Sequence, residues 1–142
     1  MRKKLVELQR IWYPEEYKTT YIYTYDSFND ELSEMMSNSG YLKEFKVKYH
    51  KSLRFLENLK KNCIMQPNVF ESLKDAPGLY AMRLSGKKNI RILFSFERVE
   101  EREVAILYCC FQEKSTKDYQ PAIILAQDRR KRQIELRDRR ML

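Results

Sequence analysis

Apolar, aromatic and polar positions alternate from Thr19 to Tyr25, with Tyr21, Tyr23 and Tyr25 on one side and Thr20, Ile22 and Thr24 on the other. A period of two carried by β-branched and aromatic side chains predicts a first strand. Asp26-Ser27 then offers a helix N-cap, and Asp30 stands three residues after Ser27 as in a capping box. A short helix carrying Phe28, Leu32 and Met35 is expected to run to Asn38-Ser39-Gly40, where the glycine allows a left-handed stop. From Leu42 the spacing lengthens: Leu42, Phe45, Tyr49, Leu53, Leu56, Leu59 and Cys63 recur every three or four residues and share one helical face.

After Pro67 the period returns to two. Leu79–Leu84, Ile90–Phe96 and Val104–Phe111 are apolar runs joined by the turn Ser85–Asn89 and the charged stretch Glu97–Glu103, which predicts an antiparallel meander. A last helix is expected from about Tyr119–Pro121, because proline suits the first helical turn and Ile123, Ile124, Leu125 and Ala126 follow. The order β-α-α-β-β-β-α defines an α+β domain, a small antiparallel-rich sheet with two helices packed on one face. Residues 1–18 read as a polar N-terminal extension, with a helical turn or two around Leu5, Leu8 and Ile11 to Trp12 that ends at Pro14.

Length and charge narrow the partners. The 142 residues suffice for one domain from residue 19 onward with a single core. No apolar run approaches the roughly 20 residues of a membrane span, and the basic opening Met1–Lys4 is not followed by an uninterrupted apolar segment, so an untargeted cytoplasmic chain is expected, with no membrane partner. The 28 Lys and Arg exceed the 20 Asp and Glu, a net charge of +8 that implies an acidic partner, nucleic acid or an acidic protein. Three cysteines, Cys63 and the adjacent Cys109-Cys110, lack the spacing of a zinc or redox site, and neither a metal nor an organic cofactor is expected. The single histidine, His50, lies beside the core stripe of its helix, which excludes a histidine-pair ribonuclease mechanism. Phosphate-cradling glycine loops and a nucleophile elbow are also missing.

Counting along the strands sets the faces. Tyr80, Met82, Leu84, Ile90, Ile92, Phe94 and Phe96 form the apolar face that must meet the helices, so Arg83 and Arg91 share the other, uncovered one. A turn centred on Lys87 pairs Leu84 with Ile90 and sets Arg83 directly across from Arg91. Like charges opposite each other in a sheet are destabilising, by up to about 1 kcal/mol. Two guanidinium forks so placed suit a phosphate, the alternative being a solvated face with each arginine on a carboxylate. Lys114, Lys117 and Tyr119, where the fourth strand hands over to the last helix, could reach that face from its edge.

The residues Leu73-Lys74, Gly78-Leu79-Tyr80, Met82-Arg83-Leu84, Ile90-Arg91-Ile92-Leu93-Phe94, Phe111, Lys114, Pro121 and Ala126 stand in an order that resembles the RelE/ParE toxin superfamily, most nearly its HigB-like branch. The likeness implies a RelE-like fold for residues 19–142 and the toxin of a type II toxin-antitoxin pair, a metal-independent endoribonuclease that cleaves mRNA on the ribosome and is silenced by an antitoxin with an acidic segment. It implies Arg83, Arg91, Lys114 and Tyr119 as catalytic residues, with Lys74, Lys87, Lys88, Lys117, Arg129 and Arg130 binding RNA around them. A ParE-like toxin acting on DNA gyrase by protein contact, or a non-catalytic basic binding protein, are the alternatives. The chain departs from the pattern at Glu113-Lys114, where two consecutive lysines are common, and at Ala81, where some members have lysine. The general base is thereby unassigned; Lys74 qualifies only if Phe70–Lys74 folds over the sheet.

Overall fold

The structure, a computed structural model, describes residues 8–141. Among these residues the chain forms β1 (Ile22–Thr24), α1 (Phe28–Met36), α2 (Leu42–Leu59), β2 (Phe70–Ser72), β3 (Tyr80–Leu84), β4 (Ile90–Val99), β5 (Arg102–Gln112) and α3 (Tyr119–Met141), with short 3-10 turns at Lys60–Met65 and Thr116–Asp118. The strands make one mixed sheet in the order β1-β5-β4-β3-β2, in which β1 runs parallel to β5 and the other pairs are antiparallel. The α+β class and the element order match the sequence pattern, with β2 as an added edge strand.

The helix stripe of α2 is buried at Phe45, Tyr49, Leu53 and Leu56. Its regular turns stop at Leu59, because Lys60 takes a positive φ of 54°, and Cys63 joins the core from the 3-10 turn that follows. Ser27 makes no side-chain cap bond to α1, so the expected capping box is not formed there. One forms instead before α3, where the Ser115 hydroxyl accepts from Lys117 N–H at 3.1 Å and Asp118 accepts from the backbone N–H groups of Lys114 and Ser115 at 2.7 and 2.9 Å.

The helices do not share one face. α2 packs against β3 on the side of Met82, Ile92 and Phe94. α3 crosses the opposite side: the Ala122 carbonyl accepts from Cys109 Sγ at 3.5 Å, and Arg130 Nε donates to Glu97 Oε2 at 2.7 Å. Strand alternation puts Cys109 and Glu97 on the same side as Arg91. The face expected to be uncovered is therefore roofed over much of its length by Ala122, Ile123 and Ala126, all buried. The physical reason is visible along β4, where Leu93 and Ser95 follow Arg91 on that side and are both fully buried.

Residues 8–17 are not the polar extension that their composition suggests. Gln9 bridges Thr24 and Ile11 bridges Tyr17, without a helical turn, and Ile11 is buried in the core. Asn29 secures this strap: its amide donates to Arg10 O at 2.9 Å and Thr24 Oγ1 at 3.1 Å, and its Oδ1 accepts from Trp12 N–H at 3.3 Å. Leu5 lies outside the described residues.

Candidate functional site

Leu84 and Ile90 pair across the β3–β4 turn, and that register sets Arg83 opposite Arg91, as the alternation requires. On the far side of Arg91, β5 presents Phe111, whose ring meets that of Tyr119 edge-on at 5.0 Å between centroids. The capping box just before α3 fixes the connector between Phe111 and Tyr119, which turns the helix start back over the arginine end of the sheet. Arg83, Arg91, Phe111 and Tyr119 thus meet at one end of the α3-side face.

The two arginines differ in role. Arg91 is buried, with a side chain only 9% exposed; its Nε donates to Glu113 Oε1 at 2.6 Å and its Nη1 to Ser85 Oγ and Ile90 O at 3.3 Å. Arg83 is 29% exposed and holds Glu71 at 3.5 Å, while its other terminal nitrogen donates to the Pro67 carbonyl. The result is a row of charges across the sheet, Glu71, Arg83, Arg91 and Glu113, negative at the ends and positive in the middle. Each guanidinium has a carboxylate beside it, which offsets the repulsion of the pair. A phosphate approaching from solvent meets Arg83 first, because its side chain is the more exposed of the two and its ion pair with Glu71 is longer than that of Arg91 with Glu113.

Tyr119 is half-buried. Burial raises its phenol above the ordinary tyrosine value, Glu113 adds to the rise and Arg91 opposes it. Tyr119 therefore stays protonated at neutral pH, able to donate a hydrogen bond to an anion at the arginine pair. Lys114 and Lys117 are exposed on the connector, next to Tyr119. Asp118 accepts two backbone N–H bonds, which hold its carboxyl below its ordinary value of 3.8.

The remaining candidates lie elsewhere. Phe70–Ser72 extends the sheet as edge strand β2, paired with Tyr80–Met82, and does not fold over it; Lys74 follows in an exposed loop, so its condition for acting as base is not met. Lys87 lines an open groove with Lys43, Glu44 and Lys48 between the β3–β4 turn and the start of α2, and Lys88 sits half-buried in the same turn. Arg129 is engaged inside the protein, with both terminal nitrogens on Glu31 at 2.7 and 2.5 Å, a bond to Tyr108 O at 2.7 Å, and its guanidinium 4.9 Å from the Tyr25 ring centre. Arg130 closes on Glu97 and lies against Gly78, where an added Cβ would come within 2.7 Å of Nη1. These two arginines clasp α3 to the body.

His50 is exposed and meets Tyr17 edge-on at 5.3 Å. Burial pushes the Cys63 and Cys109 thiols up to about 12 and raises Cys110 further, which leaves all three protonated and unreactive at neutral pH. Among the described residues no three His, Cys, Asp or Glu side chains gather as metal ligands, and no helix is long and apolar enough to cross a membrane. Counting alone found the arginine pair; it missed Glu71 and Glu113, whose only signal is their place diagonal to the arginines on the same face.

The fold and site together define a basic α+β domain with a cross-strand arginine pair at the mouth of a helix-roofed sheet. Comparison with protein-family models, curated proteins and solved structures finds no match to this chain.

Proposed function

We propose that this protein is a toxin of the RelE/ParE type that cleaves mRNA on the ribosome, with the arginine pair as its phosphate-binding centre. The observation that carries the reading is the placement of Arg83 directly opposite Arg91 beside a protonated Tyr119, with Lys114 and Lys117 exposed at the rim. A phosphate flanked by two guanidinium groups and a phenol gains charge-assisted hydrogen bonds that strengthen as negative charge builds on a five-coordinate phosphorus. Arg83 supplies the accessible fork, and Arg91, locked by Glu113 and Ser85, supplies a preorganised charge behind it. The net charge of +8 draws the protein to RNA and to the acidic segment of an antitoxin through the same steering field.

The test is to induce the protein in bacterial cells and map RNA 5′ ends alongside DNA breaks. Growth arrest with new cuts positioned by codon within translated mRNA supports the reading. Arrest with double-strand DNA breaks and intact mRNA replaces it with gyrase poisoning, and normal growth with neither replaces it with a non-toxic binding role.

A further inference from the structure

The β3–β4 turn has two sides. Toward α3, its Ser85 hydroxyl accepts from Arg91 Nη1. Toward α2, Gly86 comes so close to the helix start that a Cβ there would lie 2.6 Å from Glu44 Oε2 and 2.8 Å from the Tyr41 hydroxyl. Between this turn and the first turns of α2 runs an open groove of about 510 Å³, lined by Tyr41, Lys43, Glu44, Val47, Lys48 and Lys87. Lys43 with Val47, and Glu44 with Lys48, stand four residues apart, so all four share the helix face that looks onto the turn. Three lysines thus meet one carboxylate. Lys46 and Lys61 hold Glu15 and Glu103 at 3.2 and 3.4 Å, but among the described residues none of the groove lysines has an ion-pair partner. The Tyr41 hydroxyl in the groove wall is buried and also unsatisfied: the Glu44 carboxylate and the Lys88 backbone lie near it, outside hydrogen-bond geometry.

We propose that this groove docks an acidic segment of a partner protein, with one apolar side chain seated on Val47 and carboxylates reaching Lys43, Lys48 and Lys87. Charge complementarity favours an acidic occupant, and the rest of the lining favours a peptide over nucleic acid. Val47 is 67% exposed and gives the floor an apolar spot, whereas the one ring of the groove, Tyr41, is buried and offers no platform on which a base can stack. Glu44 repels a run of phosphates, but a peptide can turn a backbone N–H toward it. The groove lies on the α2 side of the sheet and the arginine pair on the α3 side, with the turn between them. A docked segment therefore leaves Arg83 open, and the inference holds whether or not RNA is cut there.

The test is an NMR titration of the isotope-labelled full-length protein with a short synthetic peptide in which glutamates flank a central leucine. An all-glutamate peptide of the same length and a single-stranded RNA oligonucleotide are titrated in parallel. Expected with the leucine peptide are saturable shifts confined to residues 40–48 and 85–89, weakening as salt is raised. Lys43→Glu, at an exposed position, should weaken binding about tenfold or more. The leucine peptide should bind about fivefold or more tightly than the all-glutamate one, and Val47→Gln should remove that preference without adding charge. Equal affinity of the two peptides, or a preference that survives Val47→Gln, reduces the groove to plain charge attraction and overturns the proposal. Shifts that gather elsewhere, or no saturable shift at all, overturn it too. RNA that moves the groove signals and displaces the leucine peptide replaces the docking site with a nucleic-acid path.

Discussion

Replacing Arg91 by alanine will cost the fold far more than replacing Arg83, although the two face each other in adjacent strands. Arg91 is 9% exposed and Glu113 is 19% exposed, and they meet at 2.6 Å. Alanine at 91 leaves the Glu113 carboxylate without its partner and opens space beside Phe111. Removal of one member of a buried pair costs about 3–5 kcal/mol, and the partial exposure of Glu113 brings the expectation here to about 2–4 kcal/mol. Arg83 and Glu71 are 29% and 42% exposed and 3.5 Å apart, so Arg83→Ala is expected to cost about 0–1 kcal/mol. Urea denaturation followed by circular dichroism reads both. With a slope of about 2 kcal/mol per molar, Arg91→Ala lowers the midpoint by roughly 1–2 M and Arg83→Ala by less than about 0.5 M. Adding Glu113→Gln to Arg91→Ala should recover part of the loss, since it removes the stranded charge. Equal midpoints for the two arginine variants, or a loss below about 1 kcal/mol for Arg91→Ala, would refute the division of the pair into a buried anchor and an exposed binder.

Other outcomes follow from the same geometry. The β4–β5 turn places Glu100 and Glu101 at positive φ of 51° and 65°, so Glu100→Asn with Glu101→Gly should raise stability by about 0.5–1 kcal/mol, measured in the same urea titration. The lowered Asp118 carboxyl stabilises the folded state above its ordinary value of 3.8, and the contribution disappears as pH falls through the lower folded value; the stability gap between wild type and Asp118→Asn should close in that acid window. A thiol reagent at pH 8 should label none of the three cysteines in the native protein within minutes and all three in urea, because Cys63 and Cys109 sit near 12 and Cys110 is raised as well. Deleting residues 128–142 should destabilise the protein by removing both α3 clasps, whereas ending the chain after Gln133 retains them and leaves the urea midpoint close to wild type.

The register that joins Arg83 to Arg91 was legible because both flanking strands are apolar at every second position and the turn between them is short, leaving one pairing that keeps all apolar side chains inside. β2 escaped because three residues, Phe70-Glu71-Ser72, hold only one apolar side chain, and the strand exists through pairing with β3. The path of α3 across the arginine side was hidden for a related reason. Its buried residues Ala122, Ile123 and Ala126 show that the helix packs but not against which face, while Arg129 and Arg130 find Glu31 and Glu97 only through long-range folding. The apolar Leu93, two residues on from Arg91 and on the same side, was the sequence's one sign of cover there; that Leu93 and Ser95 are fully buried is seen only in the structure. Residues 8–17 look polar, and Ile11 alone among them is fully committed to the core.

The most direct test of the arginine pair as an RNA-cleaving centre is the single-turnover rate of mRNA cleavage on purified ribosomes by Arg83→Ala, compared with wild type and with Lys46→Ala, an exposed α2 lysine paired with Glu15. Arg83→Ala keeps its fold by the reasoning above, so its rate reports on chemistry. The account predicts a loss of about 10²-fold or more for Arg83→Ala, roughly 3 kcal/mol of transition-state stabilisation, and no change for Lys46→Ala. A folded Arg83→Ala protein that cuts mRNA at the wild-type rate would contradict it.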